Sequence, residues 1–118
     1  MVSESNRYHT LTPRIFVEDV AAQVAFLRSA FDASGEVADG RPTEITIGDS
    51  LLMIASVDER AAFPAFLYVY VDDTDVTYRR ASAAGARTME EPFDTPYGDR
   101  RATIADPFGN VFQIAHRR

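Results

Sequence analysis

Two histidines and no cysteine narrow the metal and nucleophilic chemistry open to this 118-residue chain. The missing thiols exclude disulfides, thiolate metal sites and thiol catalysis. His9 and His116 stand near the two chain ends, where lone histidines read as solvated side chains. There is no Gly-x-Ser-x-Gly elbow, phosphate loop or dinucleotide fingerprint, which weighs against hydrolase, kinase and dehydrogenase chemistry. Glu18-Asp19 and Asp72-Asp73 look at first like paired catalytic carboxylates. Each pair ends a β-type run and opens a helical pattern, so capping and helix-dipole complementation explain them better. Glu44 is either a base in an apolar cleft or an ion-pair partner for Arg14 or Arg101. Asp99-Arg100-Arg101 reads as the ion-paired entrance to a hairpin, with a ligand-contacting role open to Arg101.

The elements that must position these groups form two similar halves. Residues 1–10 read as a flexible arm. Thr12 to Val17 is then predicted as a strand, and Asp19 caps a helix whose Val20, Val24, Leu27 and Phe31 share a face. Short strands are predicted near Glu36 to Ala38 and Pro42 to Ile47, and Gly48-Asp49 turns the chain into Leu51 to Ser56. The order β-α-β-β-β recurs. Phe66 to Asp73 matches Thr12 to Asp19 position for position; a second helix carries Thr77, Tyr78, Ala81 and Ala84 inward, and Phe112 to Ala115 mirrors Leu52 to Ala55. Strands are predicted near Ala86 to Met89 and Arg101 to Ile104, with Glu90 to Asp99 as a loop that is either a lid or a plain surface connection.

Composition sets limits on partners. The formal charge is −6 and every basic residue is Arg, which argues against nucleic acid and for a neutral or cationic ligand. No apolar run approaches the ~18 residues of a membrane helix, and Met1 to His9 lacks a signal-peptide core. A cytoplasmic protein without a membrane partner is expected.

Val71-Asp72-Asp73, Tyr97-Gly98-Asp99-Arg100 and Asp106-Pro107-Phe108-Gly109-Asn110, set within the repeat, resemble the vicinal-oxygen-chelate superfamily. That superfamily includes glyoxalase I, extradiol dioxygenases and bleomycin-resistance proteins, and the chain is most similar to its small PhnB-like members. The resemblance implies an α+β fold of two βαβββ modules, about 11–57 and 65–116, in one domain spanning 11–118. It also implies a U-shaped, concave mixed sheet with helices on the convex side, often in a homodimer. In the family's metal enzymes, His or Glu ligands sit at positions that fall here on Thr12, Met53, Phe66 and Gln113. A hydroxyl, a thioether, a phenyl ring and an amide make a poor set for a divalent first-row cation, so no metal and no cofactor is expected.

Strand alternation then sorts the cleft from the core. Ile15, Val17, Leu67, Val69, Leu52, Ile54, Phe112 and Ile114 are assigned to the helix side. Arg14, Phe16, Glu44 and Met53 from the first half, with Phe66, Tyr68, Tyr70, Arg101, Thr103 and Gln113 from the second, are assigned to a ligand-binding cleft. Such an aromatic lining with a few polar groups suits a planar, aromatic or cationic small molecule. The function expected is a metal-free binding protein of the glyoxalase/bleomycin-resistance type, bearing on antibiotic resistance. The alternatives are a glyoxalase-like or dioxygenase-like enzyme, either with unconventional metal ligands or with Glu44 or Tyr68 as acid or base, and a dimeric interaction protein whose cleft is closed.

Overall fold

The apolar periodicities resolve into strands and two helices in a computed structural model that describes residues 9–57 and 63–118. In chain order these are β1 (Arg14–Val17), α1 (Val20–Phe31), β2 (Thr43–Ile47), β3 (Ser50–Ser56), β4 (Phe66–Tyr70), α2 (Thr74–Ala83), β5 (Arg87–Asp94), β6 (Asp99–Ala105) and β7 (Val111–Arg117). All but the last two residues of the expected arm lie outside the described residues. No helix among the described residues is long and apolar enough to cross a membrane.

The two halves build separate mixed sheets, ordered β1-β3-β2 and β4-β7-β6-β5. In each, the first strand runs parallel to the last and the remaining pairs are antiparallel. The acidic pairs act as caps. Asp19 accepts a hydrogen bond from the Ala22 backbone N–H at 3.0 Å, and Asp73 from that of Val76 at 3.2 Å. The alternation holds: Ile15, Ile54, Ile45, Ile104, Phe112 and Ile114 are buried in one core with both helices. α1 joins the two halves, because Phe26 and Phe31 set their rings 6.4 and 5.2 Å from Phe112 of β7.

The Asp106 to Asn110 turn fastens this join. Asp106 Oδ1 accepts from the Phe108 and Asn110 backbone N–H groups, both at 2.9 Å. Its Oδ2 accepts from Gln23 Nε2 of α1 at 3.0 Å. Asn110 Nδ2 donates to Gln23 Oε1 at 2.9 Å, and its Oδ1 accepts from the Ala65 N–H at 2.9 Å. Gln23, Asp106 and Asn110 are all buried. The turn therefore holds the first helix and the entry to β4 against the last hairpin.

Two expectations need correction. Glu36 to Ala38 is not a strand; only Ser34 bridges to Thr46. Thr43 Oγ1 takes the Ala38 N–H at 3.0 Å, Glu36 pairs with Arg28 at 3.2 Å, and Pro42 has no N–H to give. The first module is thus βαββ rather than βαβββ. Glu90 to Asp94 is not part of a lid but the outer half of β5. Register shifts between Thr88 and Glu90 and between Glu90 and Phe93 let an edge strand carry Pro92. The two modules keep separate mixed sheets, and among the described residues no strand of one sheet pairs with a strand of the other.

Candidate functional site

In register, β4, β7, β6 and β5 set Tyr68, Gln113, Thr103 and Glu90 side by side across the second sheet. The next rung carries Tyr70, Ala115, Arg101 and Phe93. Cross-strand partners point to one face, and this is the face turned away from the core. Its rings stand open: Phe66 is 64%, Tyr70 55% and Tyr97 56% exposed, while Tyr68 and Phe93 are each 37% exposed.

Beneath the rings runs a continuous polar network. Gln113 Nε2 donates to Thr103 Oγ1 at 3.4 Å, and the Thr103 hydroxyl donates in turn to Glu90. Arg101 Nη2 donates to Glu90 at 3.2 Å and its Nη1 to the Tyr97 hydroxyl at 2.8 Å. The Tyr97 and Tyr68 hydroxyls lie 3.3 Å apart. Tyr68 and Tyr70 then donate to Asp99 Oδ2 at 2.8 and 2.9 Å. On the other side of that carboxylate, Arg117 Nε sits 3.4 Å from Oδ1. The guanidinium of Arg101 lies 5.1 Å from the Phe93 ring centre and that of Arg117 lies 6.0 Å from that of Tyr70.

The network fixes protonation states. Burial by itself would raise the Asp99 carboxyl, but the two phenol donors and the charges of Arg117 and Arg101 outweigh it and hold Asp99 below the usual carboxylate range. Burial, with the hydrogen bonds to Tyr97 and Asp99, pushes the Tyr68 phenol well above its ordinary value. The bond to Asp99 is the main cause of a rise at Tyr70. Glu90 is lowered, first by the Thr103 hydroxyl and then by Arg101. Tyr68 thus keeps its proton at neutral pH and acts as a donor to Asp99, which is the wrong state for a general base.

The expected cleft residues fall into two groups. Phe66, Tyr68, Tyr70, Arg101, Thr103 and Gln113 share the face just described. Arg14, Met53 and Glu44 form a rung of the first sheet instead, with the Arg14 guanidinium 5.2 Å from the Phe16 ring centre. Arg14 borders a different depression, shared with Thr43 and Ser56. A crevice of about 310 Å³ runs between the β2–β3 turn and the outer edge of β4. Leu51, Leu67, Val69 and Phe112 give it an apolar wall, and Tyr68 and Tyr70 form its border with the polar network.

The sequence reading missed Glu90, Phe93 and Tyr97 as members of the site. Pro92 and Pro96 made their stretch look like loop, although stepping back in twos from Thr103 reaches Arg101 and Asp99 on one face. His116 was also misread. Its Nδ1 accepts the Thr74 backbone N–H at 2.8 Å and so serves the start of α2.

The positions that correspond to metal ligands do not make a metal site. Thr12 and Met53 belong to the half that builds the first sheet, Phe66 and Gln113 to the second. The Gln113 amide donates to Thr103, and the nearest carboxylate in its rung, Glu90, is engaged by Arg101. Among the described residues, no three of His, Cys, Asp or Glu come together. These donors do not fit a divalent cation.

Comparison with known proteins agrees with the fold. An uncharacterised protein of Mycobacterium bovis is 29% identical over 122 residues, covering 88% of this chain and 80% of its own length. The anthracycline biosynthesis protein DauV of a Streptomyces species is 46% identical over 48 residues, 41% of this chain but only 17% of that protein. The crystal structure of TioX from a Micromonospora species superposes with a TM-score of 0.81 at 19% identity, covering 94% of this chain and all of that one. Paired sheet-and-helix halves of this order match the profile of the Glyoxalase/Bleomycin resistance protein/Dioxygenase superfamily over residues 7–114, and the chain belongs to that superfamily.

Proposed function

We propose that the open face of the β4-β7-β6-β5 sheet binds a planar aromatic small molecule without the help of a metal, in the manner of the family's bleomycin-resistance-type members. The observation that carries this reading is the set of exposed rings, Phe66, Tyr68, Tyr70, Phe93 and Tyr97, standing over a polar network that holds them in place. Exposed aromatic area of this kind marks a binding surface rather than a solvated one. The rings are also held: Asp99 fixes both phenols of the Tyr68–Tyr70 pair, whose centres are 5.3 Å apart. Little side-chain freedom is then lost when a ligand stacks on them. The local likeness to a protein named for anthracycline biosynthesis supports a flat, fused-ring ligand, and sequestration of such a compound would confer resistance to it.

A sheet face covers a flat ligand on one side only, whereas small-molecule sites enclose most of the ligand surface. We therefore take a second copy of the chain as the opposite wall, in a homodimer. Sedimentation equilibrium should show the dimer, and a monomer at all concentrations would remove that part of the proposal.

The chain has five tyrosines and no tryptophan, so tyrosine fluorescence reports on this face directly. A planar aromatic compound found by screening should quench it saturably. Phe66→Ala should weaken that compound by roughly 3- to 10-fold, the value of one aromatic contact. Unchanged affinity in this variant would place the ligand elsewhere.

A further inference from the structure

The acidity of the whole chain suggests a cationic ligand, but the face itself is charge-balanced. Each of its two carboxylates already has a cation. Arg101 Nη2 lies 3.2 Å from Glu90, with the Arg101 side chain 18% exposed, and Arg117 Nε lies 3.4 Å from Asp99. The same two guanidinium groups occupy the positions over the rings that an incoming cation would seek, 5.1 Å from the Phe93 centre and 6.0 Å from that of Tyr70. An approaching cation would meet these arginines and find their carboxylates taken. An anion would find both guanidinium groups facing carboxylates, with Arg101 Nη1 also spent on Tyr97 and Arg101 Nε buried without a hydrogen-bond partner.

Most of the hydrogen-bonding capacity is used in the same way; of the buried side-chain atoms in the network, Asp99 Oδ1 and Arg101 Nε alone have no hydrogen-bond partner. Thr103, Glu90, Arg101, Tyr68, Tyr70 and Asp99 bond to one another across the sheet. Gln113 stands at the end of the network: one amide N–H reaches Thr103 at 3.4 Å, leaving its second N–H and its carbonyl oxygen for an in-plane polar group.

Resting on the binding reading above, we propose that this face selects an uncharged planar ligand bearing a carbonyl or similar acceptor, read by the Gln113 amide, and discriminates against cations and anions of the same shape. The discrimination comes from the protein's own ion pairs. Charged side chains on the face serve to neutralise one another and to hold the rings, and stacking on Tyr68 and Tyr70 supplies the contact area.

Three tricyclic probes of similar size separate the possibilities: acridone, which is neutral, 9-aminoacridine, which is a cation at pH 7, and anthraquinone-2-sulfonate, an anion. Each is titrated into the full chain by calorimetry at low salt. Acridone should bind at least about tenfold more tightly than either charged probe. If 9-aminoacridine or the sulfonate binds as well as acridone, the neutral-ligand inference falls while the binding reading stands. Binding of none of the three overturns both. Arg101→Gln frees Glu90 and should raise the affinity for 9-aminoacridine about tenfold relative to acridone. If that variant does not fold, Arg117→Gln at an exposed position frees Asp99 and should shift the ranking the same way. A ranking unchanged in a folded variant would show that the ion pairs do not set the selectivity.

Discussion

Replacing Asn110 by alanine should unfold the join between the two halves before it disturbs either sheet. Asn110 is 1% exposed. Its side chain donates to Gln23 Oε1 at 2.9 Å and to Asp106 Oδ2 at 3.1 Å, and accepts from the Ala65 N–H at 2.9 Å. The two bonds to neutral partners are worth about 1 kcal/mol each and the one to the carboxylate about 1.5–3 kcal/mol. A water entering the vacated space would recover part of this, leaving a loss of about 3 kcal/mol. Unfolding entropy near ~2.1 cal/mol/K per residue gives ~0.25 kcal/mol/K for a chain of 118 residues, so Tm should fall by about 12 °C. Circular dichroism melts of Asn110→Ala, Gln23→Ala and the double variant measure this directly. Because Gln23 and Asn110 share a bond, the double variant should lose about 1 kcal/mol less than the sum of the singles. A fall under about 3 °C for Asn110→Ala, or strict additivity, would refute a shared network.

Two further perturbations probe the site and its support. The folded state holds the Tyr68 and Tyr70 protons more tightly than the unfolded chain, so their contribution is fully present below pH ~10 and is lost as the pH rises past it. Phenolate absorbance should show both ionising above the ordinary tyrosine range, and Asp99→Asn should bring them back towards it; an unchanged titration in the variant would refute the Asp99 role. At the acid end the sign reverses. Asp75, Glu90 and Asp99 are lowered in the fold, so stability should be lost as pH falls below ~4. His116→Ala removes the acceptor for the Thr74 N–H at the start of α2 and should cost about 1 kcal/mol in denaturant unfolding; no loss would mean that the bond contributes nothing.

Where two periodicities agreed, the sequence was a good guide to the fold. The alternation in Phe66 to Tyr70 and in Phe112 to Ala115 separated core from open face, because a two-residue period admits only two registers and one of them would bury tyrosine rings. Asp19 and Asp73 were legible as caps because strand-to-helix junctions leave free N–H groups. The failures share a physical cause. Pro42 follows Glu36 to Ala38 by four residues and Pro92 lies within Glu90 to Asp94, and local propensity cannot say whether a neighbour will supply the missing partners. Thr43 and Arg28 drew the first segment into coil. Pairing with β6 drew the second into a bulged strand. Gln23 gave no signal at all, since a polar residue within an apolar helix face is explained only by Asp106 and Asn110, more than eighty positions away.

The site was legible as a surface and illegible as a network. Tyr68, Tyr70, Arg101, Thr103 and Gln113 were placed on one face by parity alone, but nothing in their spacing reveals that Asp99 ties two of the tyrosines or that Glu90 holds Arg101 and Thr103. Those links change what Gln113 means. Read singly, it is a weak donor at a position where the family's metal enzymes carry a carboxylate. In the sheet it stands beside Thr103, which donates to a glutamate that Arg101 also engages. A Gln113→Glu change would therefore bring a second carboxylate toward Glu90 in a rung whose nearby cation is Arg101, and the new carboxylate should compete for that guanidinium before it recruits a metal ion. Stoichiometric binding of a divalent cation by that variant, measured by calorimetry, would show that the arginine does not hold the rung and that the face has a coordination chemistry its residues do not suggest.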